Sequence, residues 1–414
     1  MVWEAFMEDH SFSLSPQRIF RRLLRIAALS AACLAVGLAA GLLDAFFSRV
    51  LSALGSIRLA HPFYMLPLLP AAGLLIVRLA RWGGFSCHDP MEETFRAALE
   101  RPHRLPWRTI PYVMAAAWLT HGFGGSAGRV GVAVPMGAVL ADHLSRFFPS
   151  AQSRQILLLS GMAAGFGGLF QAPIAGVFFA MEILAPGRLP REAFLPALAA
   201  SWSAYFAAGL AGASRLSAPP MDIPSAVPES LLLCAAAGAA FGMTGGGFAC
   251  AMGAARHFFQ RKWPNPYARI ALAGVLVAAL SLLCHEGRYS GLSAAMASAA
   301  FTGGVIYWYD WIAKFGLTIL TRASGFQGGD VMPLLCTGAA LGAFLAPYAG
   351  FPVPLMSACG AIAVLAGAAN LLIAPLCLGM ELFGWEAMPF FFTACVIARA
   401  ASGSPHLYRL QKEE

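Results

Sequence analysis

From Val331 to Met380 the chain runs for 50 residues without one Asp, Glu, Lys, Arg or His. A hydrocarbon core about 30 Å thick needs roughly 20 apolar residues per helical pass, so this stretch holds at least two. Ile26–Leu43, Ala193–Ser214 and Ser230–Ala255 are similarly uncharged. Overall, 58% of the residues are hydrophobic and 12% charged, about half the charged share of a soluble domain. These runs predict an all-α polytopic membrane protein. Basic residues Arg18, Arg21, Arg22 and Arg25 directly precede the first apolar run, which predicts a cytoplasmic N-terminus and an uncleaved first helix. The net charge of +8 then reads as positive-inside retention and lipid contact, with no nucleic-acid partner. Nine scattered cysteines without a CxxC pair read as small core residues, so neither a metal site nor a cofactor is expected.

Many apolar segments are cut by Gly and Pro. Broken backbone at membrane depth is tolerated where protein or a watery cavity surrounds it, so half-helices that enter the bilayer and stop are expected. The polar segment 78–108 is expected to carry an amphipathic or membrane-entering helix around Met91–Leu99.

The chain also resembles itself. Shifted by 201 residues, "GRVGVAVPMGAVL" (128–140) falls on "GDVMPLLCTGAAL" (329–341). Shifted by 199, "GMAAGFGGLFQAPIAGVFFAMEIL" (161–184) falls on "GAIAVLAGAANLLIAPLCLGMELF" (360–383), aligning Glu182 with Glu381. Two matches at nearly one offset point to a duplication, with a first repeat of about 20–215 and a second of about 228–408, in a single transmembrane domain spanning 1–414 without a cytosolic regulatory domain. Such symmetry, with Gly-interrupted segments at corresponding positions, points to a solute site at the repeat interface.

"GGSAGRVG" before one apolar helix and "GFQGGDVMP" before its mate suit an anion. A helix N-terminus leaves amides unpaired and carries about half a positive charge, and glycines let a ligand approach the backbone. Two converging half-helices would form an anion site from backbone alone, without a buried lysine. The incidental dinucleotide pattern at Gly122, Gly124 and Ala127 lacks the strand and acid that such a motif requires.

These motifs resemble the CLC family of chloride channels and anion/proton exchangers. "GGSAGRVGVAVPMG" is similar to that family's GGSAGREGTAVQMGG element, and "SGMAAGFGGLFQAPIAGVFFAMEIL" to its GMAAGFGAxFxAPLAGxxFxxE helix pair. "RYSGLS" (288–293), "GFQGGDVMPLLCTGAALG" (325–342), "NLLIAPLCLGMELFG" (370–384) and "LY" (407–408) follow in family order. "GGSAGR" with "GGDVMP" is closest to the bacterial branch that includes fluoride exporters. The resemblance implies an inverted-repeat bundle of short, broken and tilted helices in the inner (plasma) membrane. It also implies a homodimer with one pore per subunit.

In family terms, chloride or fluoride is held at Gly128, Arg129, Val130 and Gly131, at Val331 and Met332, and by Tyr408. A residue of the altered "GFSCHDP" motif (84–90), either Ser86 or Cys87, completes the set. Tyr408 has the alternative of an interfacial tyrosine, and His88 and Asp89 read as a helix-start cap. Arg129 either adds positive potential at the pore mouth or packs against an acid. The departure that matters is Val130: exchangers of the family carry a glutamate there, whose carboxylate accepts a proton and swings aside. The internal proton glutamate would fall at Ile183, leaving Glu182 and Glu381 to serve structure or the subunit interface. Asp330 is the candidate replacement proton site, or an ordinary helix cap.

A channel, not an enzyme, is the expectation: no HExxH motif occurs, and "GGSAG" (124–128), though it fits GxSxG, lacks the preceding strand that such a motif requires. A proton-coupled exchanger using Asp330 and a non-conducting interaction subunit are the alternatives. A passive path is adequate for export, because an inside-negative potential of about 100 mV is worth about 2.3 kcal/mol per charge. That supports an outward gradient of roughly 40-fold to 50-fold.

Overall fold

The computed structural model describes residues 16–85, 89–99, 104–184, 190–213, 221–403 and 407–408. Apolar runs interrupted by Gly and Pro give helices of very unequal length. The chain forms α1 (Pro16–Ala60), α2 (Leu69–Trp82), α3 (Pro90–Leu99), α4 (Thr109–Gly122), α5 (Val130–Leu144), α6 (Ala151–Phe170), α7 (Pro173–Glu182) and α8 (Arg191–Leu210). After this come α9 (Pro228–Lys262), α10 (Pro266–Leu283), α11 (Ala294–Thr302), α12 (Asp310–Ala323), α13 (Val331–Ala349), α14 (Val353–Ala369), α15 (Ile373–Phe383) and α16 (Met388–Ala401). Among the described residues, six segments are long and apolar enough to cross a bilayer: Ala27–Ala60, Pro62–Trp82, Arg191–Leu210, Pro228–Lys262, Pro266–Leu283 and Val331–Ala349. The uncharged stretch 331–380 divides into three helices, α13 to α15, of which α15, with 11 residues, is too short to span.

The two halves repeat one arrangement. α5 crosses α6 at Gly137 and Gly161, and α13 crosses α14 at Gly338 and Gly360. A Cβ on Gly137 would fall 2.0 Å from the Gly161 carbonyl oxygen, and one on Gly338 would fall 2.1 Å from that of Gly360. Without a hydrophobic drive between helices in lipid, such close crossings are what holds them. Gln171 ends α6 and Asn370 ends α14 in the same left-handed conformation, φ 54° and 55°, at positions that coincide under the 199-residue shift.

Two acids lock the halves together. The Glu182 carboxylate, at the end of α7, accepts from the amides of Leu372 (2.6 Å), Ile373 (3.0 Å) and Ala374 (2.9 Å) at the start of α15. Glu381, at the end of α15, accepts from the amides of Ile174 (3.0 Å) and Ala175 (2.8 Å) at the start of α7. Each helix thus supplies the anion that caps the other's positive end. This is the structural role expected of both glutamates, and Ile183 beside Glu182 is fully buried.

Replacing Glu182 with Ala would leave three amides at the α15 start without an acceptor. Charge-assisted bonds of this kind are worth about 1.5–3 kcal/mol each, so the variant is expected to melt well below wild type in detergent. An unchanged melting midpoint would contradict the capping role.

Candidate functional site

The two glycine-rich turns meet. Gly128 N–H donates to the Gly329 carbonyl at 2.6 Å, and Gly329 N–H donates to the Gly128 carbonyl at 2.8 Å. This antiparallel bridge sets the start of α5 against the start of α13. The fit leaves no room for side chains: a Cβ on Gly131 would fall 2.1 Å from the Gly328 oxygen, and Gly328 itself has φ +155°. Val130, Gly131, Val331 and Met332 are all buried. Their amides precede the first intrahelical bond of their helices, which at α5 runs from Val132 and Ala133 to the Arg129 carbonyl and at α13 from Leu334 to that of Asp330. Two positive helix ends, each with amides outside the intrahelical ladder, are therefore set side by side.

The first turn is held by a buried cation. Lys314 of α12 is fully buried, against the expectation of a site without a buried lysine. Its ammonium donates to Ser126 Oγ (2.9 Å), the Gly291 carbonyl (2.8 Å) and the Tyr289 carbonyl (3.2 Å). Ser126 Oγ also lies 2.9 Å from Thr318 Oγ1, and its amide donates to Thr321 Oγ1 at 3.2 Å. On the other side, His121 Nε2 lies 3.1 Å from the Gly128 carbonyl, and Arg58 donates to the His121 carbonyl. A lone cation in the apolar segment "WIAKFGLTIL" was the available signal, because an intramembrane charge is functional by default.

The second turn is held by an ion-pair chain. Asp330 makes no side-chain cap bond to α13, which corrects the reading of it as an ordinary helix cap. Its Oδ1 accepts from Arg322 Nε at 2.9 Å. The same guanidinium donates to the Phe326 carbonyl at 2.9 Å and to Asp89 Oδ2 at 2.6 Å. Asp89 also accepts from Arg256 at 3.4 Å, and from the Met91 amide at 3.2 Å, so it does cap α3. The expected helix around Met91–Leu99 is thus present. Tyr408 is buried, with its ring edge-on to Phe95 at 5.2 Å, and lies within electrostatic range of Asp330, Asp89, Arg322 and Arg256. Beside the chain a polar cavity of about 190 Å³ is lined by Asp89, Glu92, Arg256, Arg269, Arg322 and Gln327, among others.

The fold therefore brings Gly128, Arg129, Val130 and Gly131 against the turn that leads into Val331 and Met332, with Tyr408 near the α13 start. Ser86, Cys87 and His88 lie outside the described residues. Arg129 resolves partly toward its second reading: its Nη1 donates to Ser48 Oγ at 3.3 Å, and the charge it faces is Asp44.

Residues 72–403 match the family described as voltage gated chloride channel. A chloride/fluoride channel protein of Pseudomonas syringae pv. tomato is 32% identical over 391 residues, covering 91% of this chain and 84% of that protein. A voltage-gated ClC-type chloride channel of Salmonella typhimurium is 27% identical over 354 residues, covering 80% and 83%. Among solved structures, a CLC-type fluoride/proton antiporter has a TM-score of 0.91 and 38% identity, over 94% of this chain and 99% of that one.

Lys314→Met would leave Ser126 Oγ and two carbonyls without their donor and release the first turn. Halide binding by calorimetry is expected to weaken at least tenfold, matching about 1.4 kcal/mol or more. Undiminished binding would show that Lys314 does not shape the site.

Proposed function

Because the chain belongs to the voltage-gated chloride channel family, we propose that it is a passive transmembrane path for a small halide, chloride or fluoride. The observation that carries this reading is Val130. It stands at the first position of α5, 1% exposed, where the resemblance to exchangers calls for a glutamate. Valine neither binds a proton nor competes with an anion for the amides at 130 and 131. Backbone donors suit transport, since they attract a dehydrated anion without the trapping that a bare ammonium would impose. Lys314 and Arg322 are engaged with protein oxygens, so neither closes on the ion.

In this reading the anion contacts Gly128, Arg129, Val130, Gly131, Val331 and Met332, with Tyr408 as a neutral donor and Ser86 or Cys87 completing the set. The protein works as a homodimer with one pore per subunit, its N-terminus in the cytoplasm of a cell whose inner membrane it spans.

One observation favours a second reading, proton-coupled exchange: the 38% identity to a CLC-type fluoride/proton antiporter of known structure. Asp330 would be its carboxylate. The 2.9 Å pair with Arg322 weighs against it, because a carboxylate held by a permanent cation is poorly suited to take up and release a proton.

Purified protein in liposomes separates the two. Passive conduction predicts halide efflux that requires valinomycin and moves no protons; uphill proton movement driven by chloride or fluoride would overturn it. Val130→Glu is expected to introduce acid-relieved block, with flux several-fold below that of wild type at about pH 7.5 and recovering toward it at about pH 5. Flux equal to wild type at both pH values would remove Val130 from the pore lining.

A further inference from the structure

The first helix carries a buried acid that the pathway above does not use. Asp44 of α1 is 1% exposed, and neither of its carboxylate oxygens has a hydrogen-bond partner. Its surroundings are tightly packed and apolar. A Cβ on Gly168 of α6 would fall 2.9 Å from Asp44 Oδ2, 3.3 Å from Cβ of Ala204 on α8 and 3.4 Å from Cα of Gly41. From α4, Trp118 donates its indole N–H to the Phe47 carbonyl.

The charge in electrostatic range is Arg129, at the start of α5. Its Nη1 reaches Ser48, one helical turn beyond Asp44 on the same face of α1. Its Nε is buried and has no acceptor. Asp44 and Arg129 thus oppose each other without a hydrogen bond between them, although each has a buried group unpaired.

Packing does not account for an aspartate here. An unsatisfied carboxylate among Gly and Ala is costly, and acids inside a membrane mark function more often than structure. Arg129 immediately precedes Val130, so whatever sets its effective charge also sets the potential at the free amides of 130 and 131.

We propose that Asp44 is a reversible proton-binding site that controls the anion affinity of the α5 start through Arg129. With Asp44 ionised, its charge offsets that of Arg129, and an anion at the amides meets little net attraction. With a proton on an Asp44 oxygen, the Arg129 charge is uncompensated and draws the anion in. Halide flux therefore rises on acidification, even though Val130 carries no proton. The proposal rests on the α5 start being the anion site and adds a regulator to it.

The test compares valinomycin-supported fluoride and chloride efflux at about pH 5 and about pH 7.5 for wild type, Asp44→Asn and Arg129→Gln. Wild-type flux should rise about fivefold or more on acidification. Asp44→Asn should be high and Arg129→Gln low, each equal at both pH values. A wild-type flux indifferent to pH, or either variant retaining the wild-type response, overturns the proposal. Infrared spectra of the halide-free protein give a readout that does not depend on transport: a carboxylic acid C=O band should titrate in wild type and be missing from Asp44→Asn. Absence of that difference also overturns it. The band without flux in any protein supports the proton site and instead sinks the conduction reading.

Discussion

Two backbone hydrogen bonds, Gly128 to Gly329 and back, are the constraint on which the rest of the molecule depends. They join turns about two hundred residues apart and bring two helix starts close enough to act on one ion. The contact requires residues without side chains, since a Cβ at Gly131 or Gly328 would collide with the opposite turn. Each helix start leaves amides unpaired, and a buried unpaired amide is tolerated where a ligand or water takes its bond. In the proposed reading the anion site is thus a consequence of how the two halves meet.

Around that bridge the two halves are built alike and fastened differently. Glu182 and Glu381 cap each other's helices with the same device, and the Gly137–Gly161 and Gly338–Gly360 crossings are equivalent. The first turn is held by the ammonium of Lys314 and the second by the guanidinium of Arg322. Lys314 donates to neutral oxygens, whereas Arg322 is paired with the carboxylates of Asp330 and Asp89.

The glycine pattern and the internal repeat made the fold legible, because half-helices and close crossings both demand Gly and Ala at fixed places. The meeting of 128–131 with 329–332 was legible for the same reason. Lys314, Arg322 and Asp44 were not, because each is a single charge with a partner far along the chain. Arg322 and Asp89, for instance, are separated by 233 residues. Asp330 read as a helix cap because an aspartate at that position often is one; tertiary pairing with Arg322 prevailed over the local rule.

The central claim is that a halide is held between the starts of α5 and α13. Anomalous diffraction from crystals grown in bromide tests it most directly. The account predicts a bromide peak within hydrogen-bond distance of the amides of Val130 or Gly131, shared with those of Val331 or Met332. Bromide found solely in the arginine-lined cavity beside Asp89, with the two helix starts empty, would contradict it.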